Sequence, residues 1–249
     1  MKKIISPFCI AALTCLFVLG TDVSASIVVS GSEPTTDVLL DQFHTNQGTI
    51  AGANISGASA RGSFFSLDTS SITGNATSQT STNIGANTFA SIDGLSFRIN
   101  GNANTTADSL DIVFFTGSPV GDFTGTGVTA ANFLSDSGVT AILTENHALP
   151  AAGTFGATDF FTVELNSPFV VNSSDQLGFF IFANNGNITH LEGQNSGGGR
   201  IAFNGTALGG PSGARDFNFV VHGSAVPEPS SLILLGLGAF GLIANRRRS

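Results

Sequence analysis

The chain is 249 residues long, with twenty-two phenylalanines, no tryptophan, no tyrosine and a formal net charge of −8. Between Ser26 and Val226 four arginines stand against fifteen acidic residues, a net −11, and such a surface repels the phosphates of nucleic acid, so no nucleic-acid partner is expected. Both cysteines, Cys9 and Cys15, fall within the first twenty-five residues, so the rest of the chain must be stable through its own core rather than through disulfides.

Lys2 and Lys3 precede an apolar stretch from Ile4 to Gly20, and Val23-Ser24-Ala25 gives the small-x-small pattern of a cleavage site. Residues 1–25 therefore read as a secretory signal helix, removed after Ala25. Cys15 is followed by more apolar core, Leu16 to Leu19, and does not open a mature lipoprotein. Ser26 to Ser30 reads as a first strand, Glu33 to Asp37 breaks it, and Val38 to Phe43 forms a second. From Gly48 to Gly62 the pattern is weak, and Phe64, Phe65 and Leu67 then form an apolar patch. Ser70 to Asn87 reads as a loop or edge strand.

Leu95, Phe97 and Ile99 alternate with Ser96, Arg98 and Asn100, which sends the first set to the core and the second to solvent. Leu110 to Phe115 is apolar on both faces, as in a central strand, and Gly117-Ser118-Pro119 ends it. Ala130 to Leu134 predicts a helical turn and Thr140 to Leu143 a strand. Phe160 to Leu165 alternates, Asn166-Ser167-Pro168 turns, Phe169 to Val171 opens a new strand, and Asn172 to Asp175 turns again. Leu177 to Ala183 is a further strand apolar on both faces. Asn185-Gly186 then predicts a tight hairpin that returns Ile188 to Leu191 against it. Ile201 and Phe203 mark a short strand, and Phe217, Phe219 and Val221 the last. Short strands between Gly, Asn, Ser and Pro turns predict an all-β fold, an antiparallel β-sandwich of jelly-roll type over residues 26–224. A β-helix is the alternative, and no repeated ladder supports it.

Candidate chemistry in this span is sparse. Gly193-Gln194-Asn195-Ser196-Gly197-Gly198 faintly resembles the nucleophile loop of chymotrypsin-like proteases but has Asn195 at the acidic place, and a serine nucleophile needs a positioned base. Gly125 to Ala130 fits a dinucleotide fingerprint without the βαβ unit that gives it meaning. His44, His147, His190 and His222 are scattered with no HExxH and no cysteine partner, which argues against zinc and for surface or partly buried structural histidines. No cofactor is expected; structural calcium is the ion left open, with Asp108 and Asp111 as its candidates, although no EF-hand or similar loop occurs. Jelly rolls also serve as lectin-like modules, but the aromatic platforms for sugars use Trp or Tyr, and the phenylalanines read as core.

The chain closes on Val226-Pro227-Glu228-Pro229, Ser230-Ser231, an apolar run from Leu232 to Ala244, and Arg246-Arg247-Arg248. As a helix, Ser230 to Asn245 would reach about 24 Å against a hydrocarbon core of about 30 Å, a marginal transmembrane anchor. Its eight strongly apolar residues give roughly −2 to −5 kcal/mol of insertion. The arginines stay on the cytoplasmic side and leave residues 26–226 on the outer face. This order of motif, Gly-interspersed helix and basic cluster over residues 225–249 resembles the PEP-CTERM sorting signal of bacterial envelope proteins. The resemblance implies an exosortase, a membrane-embedded cysteine protease, that recognises Pro227, Glu228 and Pro229 and removes the helix, with Arg246, Arg247 and Arg248 setting its orientation.

The chain is thus expected to be an exported, non-enzymatic protein of the envelope or extracellular matrix, anchored before processing and then at the surface or outside the cell. A carbohydrate-binding module for matrix polysaccharide is the alternative. A third reading, a secreted hydrolase, needs a nucleophile or paired carboxylates with a histidine in a cleft.

Overall fold

The computed structural model describes residues 26–42, 50–67, 80–81, 89–99, 105–117, 119, 127–151, 153–156, 158–193, 200–209 and 216–226. The signal segment, His44, residues 194–198 and the whole tail from Pro227 to Ser249 lie outside them. In chain order the strands are β1 (Ile27–Ser30), β2 (Val38–Asp41), β3 (Ile50–Ser56), β4 (Ala60–Phe65), β5 (Thr80–Ser81), β6 (Phe89–Arg98) and β7 (Ser109–Thr116). After helix α1 (Ala130–Asp136) come β8 (Thr140–Ala148), β9 (Phe160–Asn172), β10 (Leu177–Asn184), β11 (Asn187–Gly193), β12 (Arg200–Phe203), β13 (Leu208–Gly209), β14 (Asp216–Phe217) and β15 (Phe219–Val226).

These build three sheets, ordered β1-β9-β6-β15-β2-β5, β13-β12-β4-β10-β7-β8 and β14-β11-β3. Every pairing among the described residues is antiparallel, so the parallel ladder of a β-helix is not there. One face of each six-stranded sheet feeds the same core, with Leu95, Phe97, Phe161 and Val221 from one and Ile112, Phe114, Phe179 and Ile181 from the other. Phe179 sits at its centre, its ring 4.9 Å from Phe219, 5.3 Å from Phe217 and 6.2 Å from Phe114.

β10 is buried on both faces, as its run of apolar residues predicts. Its second face packs under α1, where the Phe133 ring lies 4.7 Å from Phe180, 5.4 Å from Phe115 and 5.7 Å from Phe203. The helix starts at Thr129, whose hydroxyl oxygen accepts from the Asn132 amide at 3.2 Å, an ordinary N-cap. It covers one sheet's outer face. The outer face of the β1-β9-β6-β15-β2 sheet is crossed by the 31–37 segment, whose Thr36 and Asp37 carbonyls are tied to β15 at His222 and Gly223.

Four readings of the pattern are corrected. Asn185 does take a left-handed φ of 57°, but the chain turns a corner there instead of a hairpin: β11 leaves β10 and pairs with β3 and β14. The amides of Thr106 and Ala107 hold the corner by donating to the Asn187 carbonyl at 2.8 and 3.2 Å. The weakly patterned stretch before Gly62 is ordered as β3 and the start of β4. Asn166-Ser167-Pro168 does interrupt the pairing with β6, which stops at Glu164 and resumes at Phe169 as expected, but the strand β9 continues through it, and the Glu145 carboxylate accepts there from the amides of Asn166 and Ser167, both at 2.9 Å. Ser96, expected in solvent, is fully buried.

Candidate functional site

On the open outer face, one cross-strand row runs Thr162, Ser96, Val220 and Asp41, and the next Glu164, Gly94, His222 and Val38. Three pairings shift register at this point: β6 with β9 between Ile92 and Gly94, β15 with β6 between His222 and Gly223, and β15 with β2 between Val221 and His222. A bulge bends its strand and re-aims a side chain. Gly223, at φ 152°, has no room for a Cβ, which would collide with the Ser91 carbonyl oxygen. Its amide donates to the Asp37 carbonyl at 2.7 Å, and Asp37 takes a left-handed φ of 52°. The 31–37 segment is tied across the face in this way.

His222 is held at both ring nitrogens. Nδ1 lies 3.1 Å from the Thr36 carbonyl oxygen, and Nε2 lies 2.6 Å from Ser96 Oγ, itself 2.7 Å from Thr162 Oγ1. A carbonyl only accepts, so Nδ1 carries a proton; Nε2 shares a hydrogen bond with the Ser96 hydroxyl, which shares another with that of Thr162. Each buried polar atom in this network has a partner.

Beside this network the face opens into a cavity of about 540 Å³, within the range of about 300–1,000 Å³ common for small-molecule sites. Gly94 lies at its base, where a Cβ would come within 3.1 Å of the Val163 carbonyl oxygen and 3.4 Å of His222 Cβ. Asp37, Asp93 and Glu164 line it with His222 and Thr162. Partial desolvation pushes the Asp93 carboxyl above its usual range; His222 opposes this, while Asp37 and Glu164 add to it. Nearby, burial and the hydrogen bond and charge of Asp41 push Glu33 up to about 7, against the pull of Arg98.

Chemically, the cavity offers acceptors. A serine, a histidine and carboxylates do meet here, with the serine and histidine in the hydrogen-bonded relation of a nucleophile and its base, yet the Ser96 hydroxyl is fully buried behind Thr162. Among the described residues no phenylalanine lines the cavity, so a sugar would be held by hydrogen bonds and not by stacking on a phenyl ring.

The remaining sequence candidates lie elsewhere. The three described histidines are not at the surface: His147 and His190 are fully buried and His222 is 7 % exposed. The His190 ring stacks on Phe217 at 4.3 Å, and His147 Nε2 lies 3.2 Å from the Glu145 carboxylate. Asp111 accepts from the Asn146 side chain at 2.6 Å, and the Asp108 backbone ties Asn184 to Leu149. Among the described residues no three acidic, histidine or cysteine side chains converge as a metal site. Nor is any described helix long and apolar enough to cross a membrane; the Leu232 to Ala244 run, the sorting residues Pro227, Glu228 and Pro229, and Arg246 to Arg248 lie outside the described residues.

The sequence pattern did not point to Ser96 and His222 as partners. A faint signal existed: inward-facing Ile92 and Leu95 are separated by two residues, Asp93 and Gly94, where strict alternation allows one. An even gap of that kind marks a bulge.

Comparison with known proteins gives one result that bears on function. Residues 225–248 match the family model of the PEP-CTERM protein-sorting motif. No curated protein and no solved structure matches the chain.

Proposed function

We propose, from the premise that this chain carries a PEP-CTERM sorting motif at residues 225–248, that it is an exported protein held in the membrane by its C-terminal apolar run until an exosortase processes it. The released or re-anchored part, residues 26–224, then works at the cell surface or in the extracellular matrix as a non-enzymatic β-sandwich of jelly-roll type. The motif match carries the sorting half of this reading. The non-enzymatic half is supported by the burial of the Ser96 hydroxyl, which lies wholly enclosed between His222 and Thr162, out of reach of a substrate. Calcium in this domain would be structural.

The experiment is an intact-mass measurement on protein recovered from the host surface and medium, alongside a variant with Pro227, Glu228 and Pro229 all changed to Ala. The wild-type mass is expected to end near residue 229, and the variant to keep Ser249. A wild-type mass running to Ser249 would end the sorting reading.

The cavity of about 540 Å³ lined by acceptors favours a second reading, a module for matrix saccharide. Replacing Gly94 by Val fills its base, so retention on an immobilised extracellular polysaccharide is expected to fall at least tenfold. Equal retention would place any binding elsewhere.

A further inference from the structure

β15 runs to Val226 without a linker before the sorting motif, and Val226 pairs with Phe89. Six residue steps separate Val226 from Leu232, where the apolar run begins, so at most about 22 Å of chain joins the domain to its anchor. This short tether fixes which end of the domain meets the membrane.

That end belongs to the outer face of the same sheet. Val226, Phe89 and Asn172 lie directly across from one another, followed by Ser224, Ser91 and Val170. Val170 is 57 % exposed, the most exposed large apolar side chain among the described residues, and Phe89 and Val226 are half-buried beside it. No basic side chain of the described residues lies on these two rows, so attraction to anionic lipid is not available. What the rows offer is apolar contact next to a tether that holds the surface close at high effective concentration.

We propose that before processing the Val170, Phe89 and Val226 edge rests on the bilayer interface, and that its occupant is the zwitterionic lipid surface around the chain's own anchor. The domain is then docked at a set orientation, with the far end of β9 pointing away. This docking rests on the proposed C-terminal anchor and adds to it a face and a partner.

The chain has no tryptophan, so one introduced indole reports its own surroundings. Val170→Trp and, as a control, Val28→Trp are each made in the full chain and reconstituted into phosphatidylcholine vesicles containing brominated acyl chains. Val28 is 44 % exposed and pairs with Thr162, whose β6 partner Ser96 is five residues, about 17 Å, from Ser91, the β6 partner of Val170. Emission of V170W is expected to fall at least twofold relative to unbrominated vesicles, and that of V28W by less than a tenth. Flotation checks that the chain is inserted. Inserted chains in which neither position is quenched, or both equally, overturn the docking. Chains that do not float overturn the anchor reading, and the docking with it.

Discussion

The His147 ring lies wholly buried 3.2 Å from the Glu145 carboxylate, and two effects compete there. Burial disfavours the charged ring, while Glu145, and more weakly Asp111, favour it; burial dominates, and the proton affinity falls below the ordinary value of 6.5. The unfolded chain therefore takes up this proton at a higher pH than the folded one. The stability linked to His147 is fully present above pH 6.5 and is lost as pH falls below it, by at most about 1.4 kcal/mol per pH unit. His147→Leu removes the proton site, so urea midpoints measured from pH 7.5 to 5 are expected to drop less in the variant than in the wild type. Parallel profiles would show that folding leaves the proton affinity of the ring unchanged. The consequence reaches the backbone, because Glu145 also receives the Asn166 and Ser167 amides within β9.

At the scale of elements, α1 is a seven-residue helix, too short to be stable alone, and its place is set by one ring. Phe133 touches Phe115, Phe180, Phe182 and Phe203, the outer face of one sheet. Phe133→Ala is expected to cost about 3–5 kcal/mol in chemical denaturation, against less than about 1 kcal/mol for a large-to-small change at exposed Val170. A loss of under 1 kcal/mol at Phe133 would mean that the helix is not what seals that face. The strands that anchor these contacts were legible in the sequence. Leu110 to Phe115 and Leu177 to Ala183 are apolar on both faces because each lies between a core and a second cover. The pairing partners were not legible: Asn185-Gly186 has the local chemistry of a hairpin, yet the bonds from Thr106 and Ala107 decide the outcome, and they come from about eighty residues away. β9 continues through Ser167-Pro168 for a similar reason, since a distant glutamate takes the amides that a turn would have freed.

For the molecule as a whole, the tail was the most readable part and the site the least. Val226-Pro227-Glu228-Pro229, the apolar run and the arginines are contiguous, and contiguous motifs survive in one dimension. The His222 network draws on Thr36, Ser96, Thr162 and His222, from four separate segments, and only the sheet order brings them together. The strand that ends at the sorting motif is an interior one, with β6 on one side and β2 on the other. When flow or a neighbouring cell drags on the domain while its tail is held, the tension enters β15 through Gly223 to Val226, which pair with β6, and is shared with β2 farther in, at Val220 to His222. An edge strand would instead peel away one pair at a time. Resistance to such a pull is set by an unfolding rate, not by equilibrium stability, so for a protein on a moving surface the choice of which strand carries the tail is a mechanical property in its own right.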